Sequence, residues 1–360
     1  MRIVVDVTPL SMPRTGIGNY ILGMLGGLAE AAGAEDDVVA FSVSGPRGKA
    51  RIGEALGDLE VERRQVVVPP SSHLWRTAWS KLGHPVVERL AGPLDVFHFS
   101  DWMYPAQRAG LRATTVYDLS PLHHPEWVAP RTRRMHARKY ANAAATSRLV
   151  FTISHFSAED VARSLAIPSE RVAVAYPGVH PRFTAGGPRA AREAPYVLAV
   201  GTREPRKNLP ALAQAFQVVR RARPGLELVI AGAPVQWARE ELEAEGVTAL
   251  GFVPDEQLPE LYRGAEAFAY PSLFEGFGMP ILEAMASGAP VVSSAHPSLD
   301  EASGTAAVRV DPGSPDAIAA GIEQVLVERE SRSAAGLEHA RRFSWRACGE
   351  AYLHGFRTAL

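Results

Sequence analysis

Cysteine is almost absent. Cys348 stands alone among 360 residues, so no intrachain disulfide can form and no cysteine-rich zinc site exists, which fits a reducing cytoplasm. Net charge is scarce as well: a formal −1 gives no global attraction to nucleic acid. No uninterrupted apolar run approaches the roughly 20 residues that a bilayer span needs. Met1 opens onto IVVDV with no basic start, leucine-rich stretch or small-residue cleavage site, so no signal peptide is visible and any membrane contact is expected to be peripheral, at the inner face. No Asp-x-Asp sequence occurs, which removes the usual anchor for a divalent cation on a diphosphate; no metal and no separate cofactor are expected.

What is present is an ordinary globular composition, 46% hydrophobic and 21% charged, in a chain long enough for two cores. Residues 1 to 185 hold 21 basic against 17 acidic side chains, and the remainder 17 against 22, so the N-terminal half is the better candidate for an anionic partner. Short β-rich runs alternate with helical patterns at 2–7, 37–43, 95–100, 113–120 and 148–154, as in parallel sheets covered on both faces. PRFTAGGPRAAREAP, from Pro181 to Pro195, breaks that pattern as a linker does. The alternation restarts at 196–201, 226–232, 247–253, 267–272 and 289–294, which predicts a second doubly wound domain with its ligand at the carboxyl ends of the strands.

Three loops carry candidate chemistry. Gly16 and Gly18 precede an apolar helical pattern, where glycine lets backbone N–H groups approach a phosphate; a plain tight turn fits equally, and the absent third glycine excludes a full dinucleotide fingerprint. Arg203, Arg206 and Lys207 stand ahead of a helix that Asn208 is placed to cap, forming either a diphosphate clamp or a solvated basic loop. In EGFGMPILE, Pro280 suits the first helical position, which puts Glu283 at the end of the first turn and Glu275 in the loop before it. Backbone donors from Gly276 to Met279 would then share one space with two carboxylates, the former suited to phosphate oxygens and the latter to sugar hydroxyls. Glu283 in isolation is better read as a favourable charge at a helix start, and the EGFG loop before it, an aromatic flanked by two glycines, shifts the balance toward function.

EGFGMPILE matches the Glu-x7-Glu signature of the large retaining glycosyltransferase family of bacterial mannosyltransferases and glycogen synthases. GTREPRKN resembles that family's phosphate loop, GFVPDEQLPELYRGAEAFAYPS its passage through the nucleotide pocket, and TGIGNY its N-terminal glycine loop. All four stand in the family's order and cover essentially the whole chain. The resemblance implies a GT-B fold: two doubly wound α/β domains facing each other across a cleft, with 1–183 on the acceptor side, 184–343 binding the nucleotide sugar, and a helix over 344–360 crossing back to the N-terminal domain.

It further implies transfer of a hexosyl group from a nucleoside diphosphate sugar to an acceptor hydroxyl on a glycan, a lipid-linked or a small molecule, with retention of configuration; mannose or rhamnose is the first guess. Glu283 would bind the ribose, Glu275 a donor-sugar hydroxyl, Phe277, Gly278 and Met279 present backbone donors, Arg206 and Lys207 neutralise the diphosphate, and Phe252 and Val253 border the base. The chain departs from the family at Thr202, where arginine is common, and at Tyr117 before Asp118, where histidine is common. Tyr117 as a donor near the sugar, with Asp118 orienting the loop, and Tyr117 as a packed core residue are both open.

Other features have bland readings beside functional ones. His123 and His124 form no metal set by adjacency. The basic run Arg131 to Lys139 is a solvated helix face or a contact for anionic acceptor or membrane. Leu74, Trp75 and Trp79 form an acceptor wall or core. A sugar-nucleotide epimerase of the same architecture and a non-catalytic nucleotide-sugar-binding subunit are the rival functions; the former needs an acid–base set that the sequence does not display.

Overall fold

The computed structural model describes residues 1–57, 59–68, 79, 81–99, 104–235, 242 and 244–360. The chain divides into two compact units. The first comprises Met1–His123, Pro130–Gly178 and Ser344–Leu360, and the second His124–Ala129 and Val179–Phe343.

In the first unit seven strands lie in the order β3-β2-β1-β4-β5-β6-β7, all neighbours parallel. They are β1 Arg2–Asp6, β2 Asp37–Ser44, β3 Glu62–Val67, β4 Val96–Phe99, β5 Leu111–Thr115, β6 Leu149–Thr152 and β7 Val172–Val174. β1, β2 and β4 are near-continuous apolar runs, as burial on both faces demands. The predicted strand over 113–120 stops at Thr115. Asp118 turns the chain there, its Oδ1 accepting from the backbone N–H of Ser120 at 2.8 Å and from its hydroxyl at 2.7 Å.

The second unit's six strands are β8 Tyr196–Val200, β9 Glu227–Ala231, β10 Val247–Gly251, β11 Ala267–Tyr270, β12 Val291–Ser294 and β13 Val308–Val310, in the order β10-β9-β8-β11-β12-β13. All their pairings are parallel. Leu212, Phe216 and Val219 of the helix Leu209–Ala222 and Ile318 and Ile322 of the helix Pro315–Val327 cover one face over Val197, Leu228 and Ile230. In both sheets the order reverses once, beside β1 and β4 and beside β8 and β11, which makes the carboxyl ends of those strands the places where loops diverge and leave room for a ligand.

The helix Trp345–Ala359 belongs to the first unit and packs on the helix Gly16–Ala31. Backbones meet at that crossing: a Cβ on Gly27 would lie 1.8 Å from the Trp345 carbonyl oxygen, and one on Gly349 would lie 2.1 Å from the carbonyl oxygen of Gly27. Beneath it runs a chain of buried hydroxyls. Tyr20 OH donates to the Ala175 carbonyl at 3.0 Å, so Tyr352 donates to Tyr20 at 3.2 Å, Thr115 to Tyr352 at 2.5 Å, and His98 Nε2–H to Thr115 at 2.9 Å. Each oxygen spends its single proton on the next, which fixes the His98 tautomer. Burial, reinforced by the positive charge of Lys139, lowers the His98 pKa to about 3 and keeps the ring neutral.

Candidate functional site

The strongest side-chain cluster forms where β8 and β11 stand side by side. The loop leaving β8 turns through Pro205–Lys207, and the loop leaving β11 carries Leu273 to Gly278. A backbone hydrogen bond from Leu273 N–H to the Arg206 carbonyl, 2.8 Å, ties the two loops. Asn208 ties them again. It does not cap the following helix with its side chain as predicted; it adopts a left-handed conformation with φ 57°, and its Nδ2 donates to the Pro271 carbonyl at 3.2 Å and to the Pro312 carbonyl at 2.7 Å. The side chain thereby satisfies two backbone carbonyls of neighbouring loops in place of the helix end.

Glu275, only 7% exposed, sits at the centre. Lys207 Nζ donates to its Oε1 at 2.6 Å, Tyr270 OH donates to the same oxygen at 2.9 Å, and Arg206 Nη1 donates to Oε2. Lys207, itself buried, also donates to Tyr270 OH at 2.6 Å, and Arg206 Nε pairs with Glu204 at 2.7 Å. Burial pushes the Glu275 carboxyl up, but the two cations and their hydrogen bonds outweigh it and hold the pKa at about 2. Glu275 is therefore a fixed, ionised hydrogen-bond acceptor and a poor proton acceptor. Burial and Arg206 lower the Lys207 pKa while Glu275 opposes them, and burial with Glu275 drives the Tyr270 phenol well above its ordinary value.

The rest of the loop is shaped by packing. Gly278 has φ 102°, and a Cβ there would come within 2.7 Å of Leu299 Cδ2, so both conformation and space require glycine. The helix begins at Met279, with Pro280 second. Glu283 thus falls in the second turn, not at the end of the first as predicted, and a helix-start charge no longer explains it. It accepts from Tyr262 OH at 3.0 Å. Burial and neighbouring Asp255 raise its pKa to about 7, against the opposing effects of Tyr262 and Arg182. Phe277 is buried against Phe343, ring centroids 5.5 Å apart, so only its backbone is available to a ligand.

Arg203 forms a bridge with Pro234 beside the same loop, and its Nε is buried without a hydrogen bond. Past Gly251 at the end of β10, Phe252 is 69% exposed and Val253 partly buried. Arg206, Lys207 and Glu275 are thus brought into direct contact, whereas Gly16, Gly18, Tyr117 and Asp118 lie in the first unit.

There, a Cβ on Gly16 would meet nothing within 4 Å and one on Gly18 only Leu10 Cδ2 at 3.7 Å, so packing requires neither glycine. Tyr117 packs edge-on against Tyr20 at 5.3 Å, and Lys139 Nζ lies 5.0 Å from the centre of its ring. Burial drives the Tyr117 phenol well above its ordinary value and lowers the Lys139 pKa to about 7. Lys139 therefore leaves the proposed basic face, on which Arg131, Arg133, Arg134 and Arg138 are exposed.

His123 pairs with Asp160 at 2.9 Å, and His124 stacks on Trp127 at 3.7 Å and meets the ring of Phe274 at 5.9 Å. The two histidines thus serve different partners, and among the described residues no group of three metal-ligating side chains occurs. Trp79 is core, packed on Phe41; Leu74 and Trp75 lie outside the described residues. Tyr270 and Tyr262, which hold the two glutamates, were missed from sequence. Their only signal was position, at the end of β11 and on the helix Leu258–Gly264.

Residues 14–183 match the model of the family described as Glycosyltransferase Family 4, and residues 187–342 that described as Glycosyl transferases group 1. The chain is 31% identical over 392 residues to O-antigen chain mannosyltransferase B of Escherichia coli, an alignment covering 99% of this chain and 100% of that protein. Sucrose-phosphate synthase from Thermosynechococcus elongatus superposes with a TM-score of 0.71 at 17% identity, covering 99% of this chain and 98% of that one. HepE from Anabaena, solved with UDP and glucose, gives 0.68 at 16%, covering 98% of each.

Proposed function

Because this chain belongs to the group 1 and family 4 glycosyltransferases and has their GT-B fold, and is therefore a nucleotide-sugar-dependent glycosyltransferase, we propose that it moves a mannose-type hexose from a nucleoside diphosphate sugar to a glycan or lipid-linked hydroxyl with retention of configuration. The observation that carries the reading is the Arg206–Lys207–Tyr270–Glu275 cluster at the switch point of the second sheet. Glu275, held ionised and rigid, accepts a donor-sugar hydroxyl and fixes the orientation of the anomeric carbon. Arg206 and Lys207 turn toward the departing diphosphate, whose charge grows as the glycosidic bond breaks, and stabilise it where water is scarce.

Gly276 to Met279 and Gly16 and Gly18 supply backbone donors, Arg203 a further cation, Glu283 the ribose contact, and Phe252 and Val253 the border of the base. Charge on the diphosphate is met by these groups, without a divalent cation. The first unit, through Tyr117 and Asp118, serves the acceptor. The work is done in the cytoplasm, and exposed Arg131, Arg133, Arg134 and Arg138 give peripheral contact with an anionic inner membrane face.

The mannose guess draws on the identity to a mannosyltransferase. A thermal-shift screen of UDP, GDP, ADP and dTDP sugars tests it, since a ligand that binds only the native state raises its stability. A GDP sugar is expected to give the largest shift, and transfer to persist in EDTA. Epimerisation of donor without acceptor, or binding without transfer to any acceptor, would overturn the reading.

A further inference from the structure

The turn after β12 has no part in the reading above, yet it grips the EGFG loop at both ends. Ser298, 1% exposed, places its Oγ 3.1 Å from the backbone N–H of Glu275, and its neighbour Leu299 packs where Gly278 has room for no side chain. His296 stands behind Ser298: its Nδ1 lies 2.7 Å from Ser298 Oγ and 3.2 Å from Ser298 N. A backbone N–H can only donate, so Nδ1 is an acceptor and the ring is neutral with its proton on Nε2. Ser298 Oγ therefore gives its proton to His296 and turns its lone pairs to the amide of Glu275. The Arg309 guanidinium donates to the His296 and Ser294 carbonyls at 3.2 and 2.9 Å and pairs with Asp300, anchoring the turn to β13.

We propose that His296 is a positioning residue for the donor site: as an acceptor at Nδ1 it fixes the Ser298 hydroxyl, which in turn holds the backbone of Glu275 and keeps that carboxylate in register with Arg206 and Lys207. The inference rests on the reading of Glu275 as the donor-sugar contact. A proton on Nδ1 faces the Ser298 N–H head-on and removes the acceptor, so the arrangement exists only with a neutral ring. Burial lowers the His296 pKa, Asp300 opposes this, and Arg309 and His124 add to it. His124 reaches the ring's surroundings through Phe274, whose ring lies 5.7 Å from that of His296, and carries Glu126 beside it at 3.4 Å. Glu275, with its two cations, lies one hydroxyl away, beyond Ser298.

The test is the pH dependence of sugar transfer by the full chain and by variants. His296→Asn keeps an acceptor oxygen near the Nδ1 position and cannot be protonated, so it should retain kcat within about threefold and lose the acid-side decline that wild-type kcat shows at saturating donor, where the pH dependence of donor affinity does not enter. His296→Ala and Ser298→Ala should each lower kcat about tenfold, with a smaller change in the donor KM, as expected when orientation and not contact is lost. Unchanged kcat in both alanine variants, or a His296→Asn profile with the wild-type acid decline, overturns the inference. Should the variants fail to fold, nitrogen-15 NMR of the wild-type imidazole decides: an Nε2–H tautomer supports it and an Nδ1–H tautomer overturns it. Absence of transfer by the wild type is the separate result that sinks the functional reading, and the inference with it.

Discussion

At the scale of single residues, the central fact is that a carboxylate and two cations satisfy one another in a nearly dry place. Removing one partner of such a cluster leaves an uncompensated buried charge, so Glu275→Ala is expected to abolish measurable transfer and to cost about 3–5 kcal/mol of stability in denaturant unfolding. Glu275→Gln, which keeps the shape, should retain more stability and still lose turnover. Glu283 makes the opposite prediction, because its pKa is raised to about 7. Ribose hydroxyls donate best to an ionised carboxylate, so nucleotide affinity should strengthen as pH rises through 7, and Glu283→Gln should flatten that dependence in calorimetric titration. The sign for stability is reversed. The folded state holds this proton more tightly than the unfolded chain, so the contribution is fully present below the ordinary carboxyl range and is lost as pH rises through about 7.

At the scale of elements, glycines separate into two kinds that the sequence alone does not distinguish. Gly27 and Gly349 are fixed by the crossing of two helices, where a methyl group would strike backbone that cannot move aside. Gly27→Ala or Gly349→Ala is expected to destabilise the first unit by about 1–3 kcal/mol or more, read by hydrogen exchange on the helices Gly16–Ala31 and Trp345–Ala359. Gly16 has open space before it, so Gly16→Ala should leave stability unchanged or raise it by up to about 1 kcal/mol. A loss of nucleotide-sugar stabilisation in that variant, with the fold intact, would assign Gly16 to the ligand; unchanged binding would make it a turn residue. The strands missed from sequence, β3, β7 and β13, all lie at sheet edges, although the fourth edge, β10, was expected at 247–253. β3 reads Glu-Arg-Arg-Gln-Val-Val and is mostly exposed, with Glu62 paired to Arg2 at 2.8 Å; charge on an edge blocks further pairing and erases the apolar signal. β7 and β13 are three-residue edge strands, too short for a period to register.

At the scale of the whole molecule, the last seventeen residues belong structurally with the first. A chain ending at Phe343 should lose the cooperative unfolding of the first unit in calorimetry, because the glycine face of the helix Gly16–Ala31 loses its cover and the hydroxyl chain loses Tyr352, which links Thr115 to Tyr20. Nucleotide binding should survive, since the residues assigned to it other than Gly16 and Gly18 lie in the second unit. Survival of the first unit's transition would show that the returning helix is an ornament. The described residues contain no helix long and apolar enough to cross a membrane.

Sequence by itself determined the two parallel α/β sheets, the order of the loops that matter and the family, because buried parallel strands are continuous apolar runs and because Glu275, Glu283, Arg206 and Lys207 lie in short local motifs. It did not determine partnership. That Lys207 meets Tyr270, that Tyr262 holds Glu283, that Asn208 ties loops instead of capping a helix, and that His296 reaches Glu275 through Ser298 all depend on strands distant in sequence lying side by side. The contacts of Lys207 were decided only when β8 and β11 came together at the point where the sheet reverses, and that of Ser298 when β12 lay beside β11, since hydrogen bonds are set by distance and direction in space and leave no period along the chain.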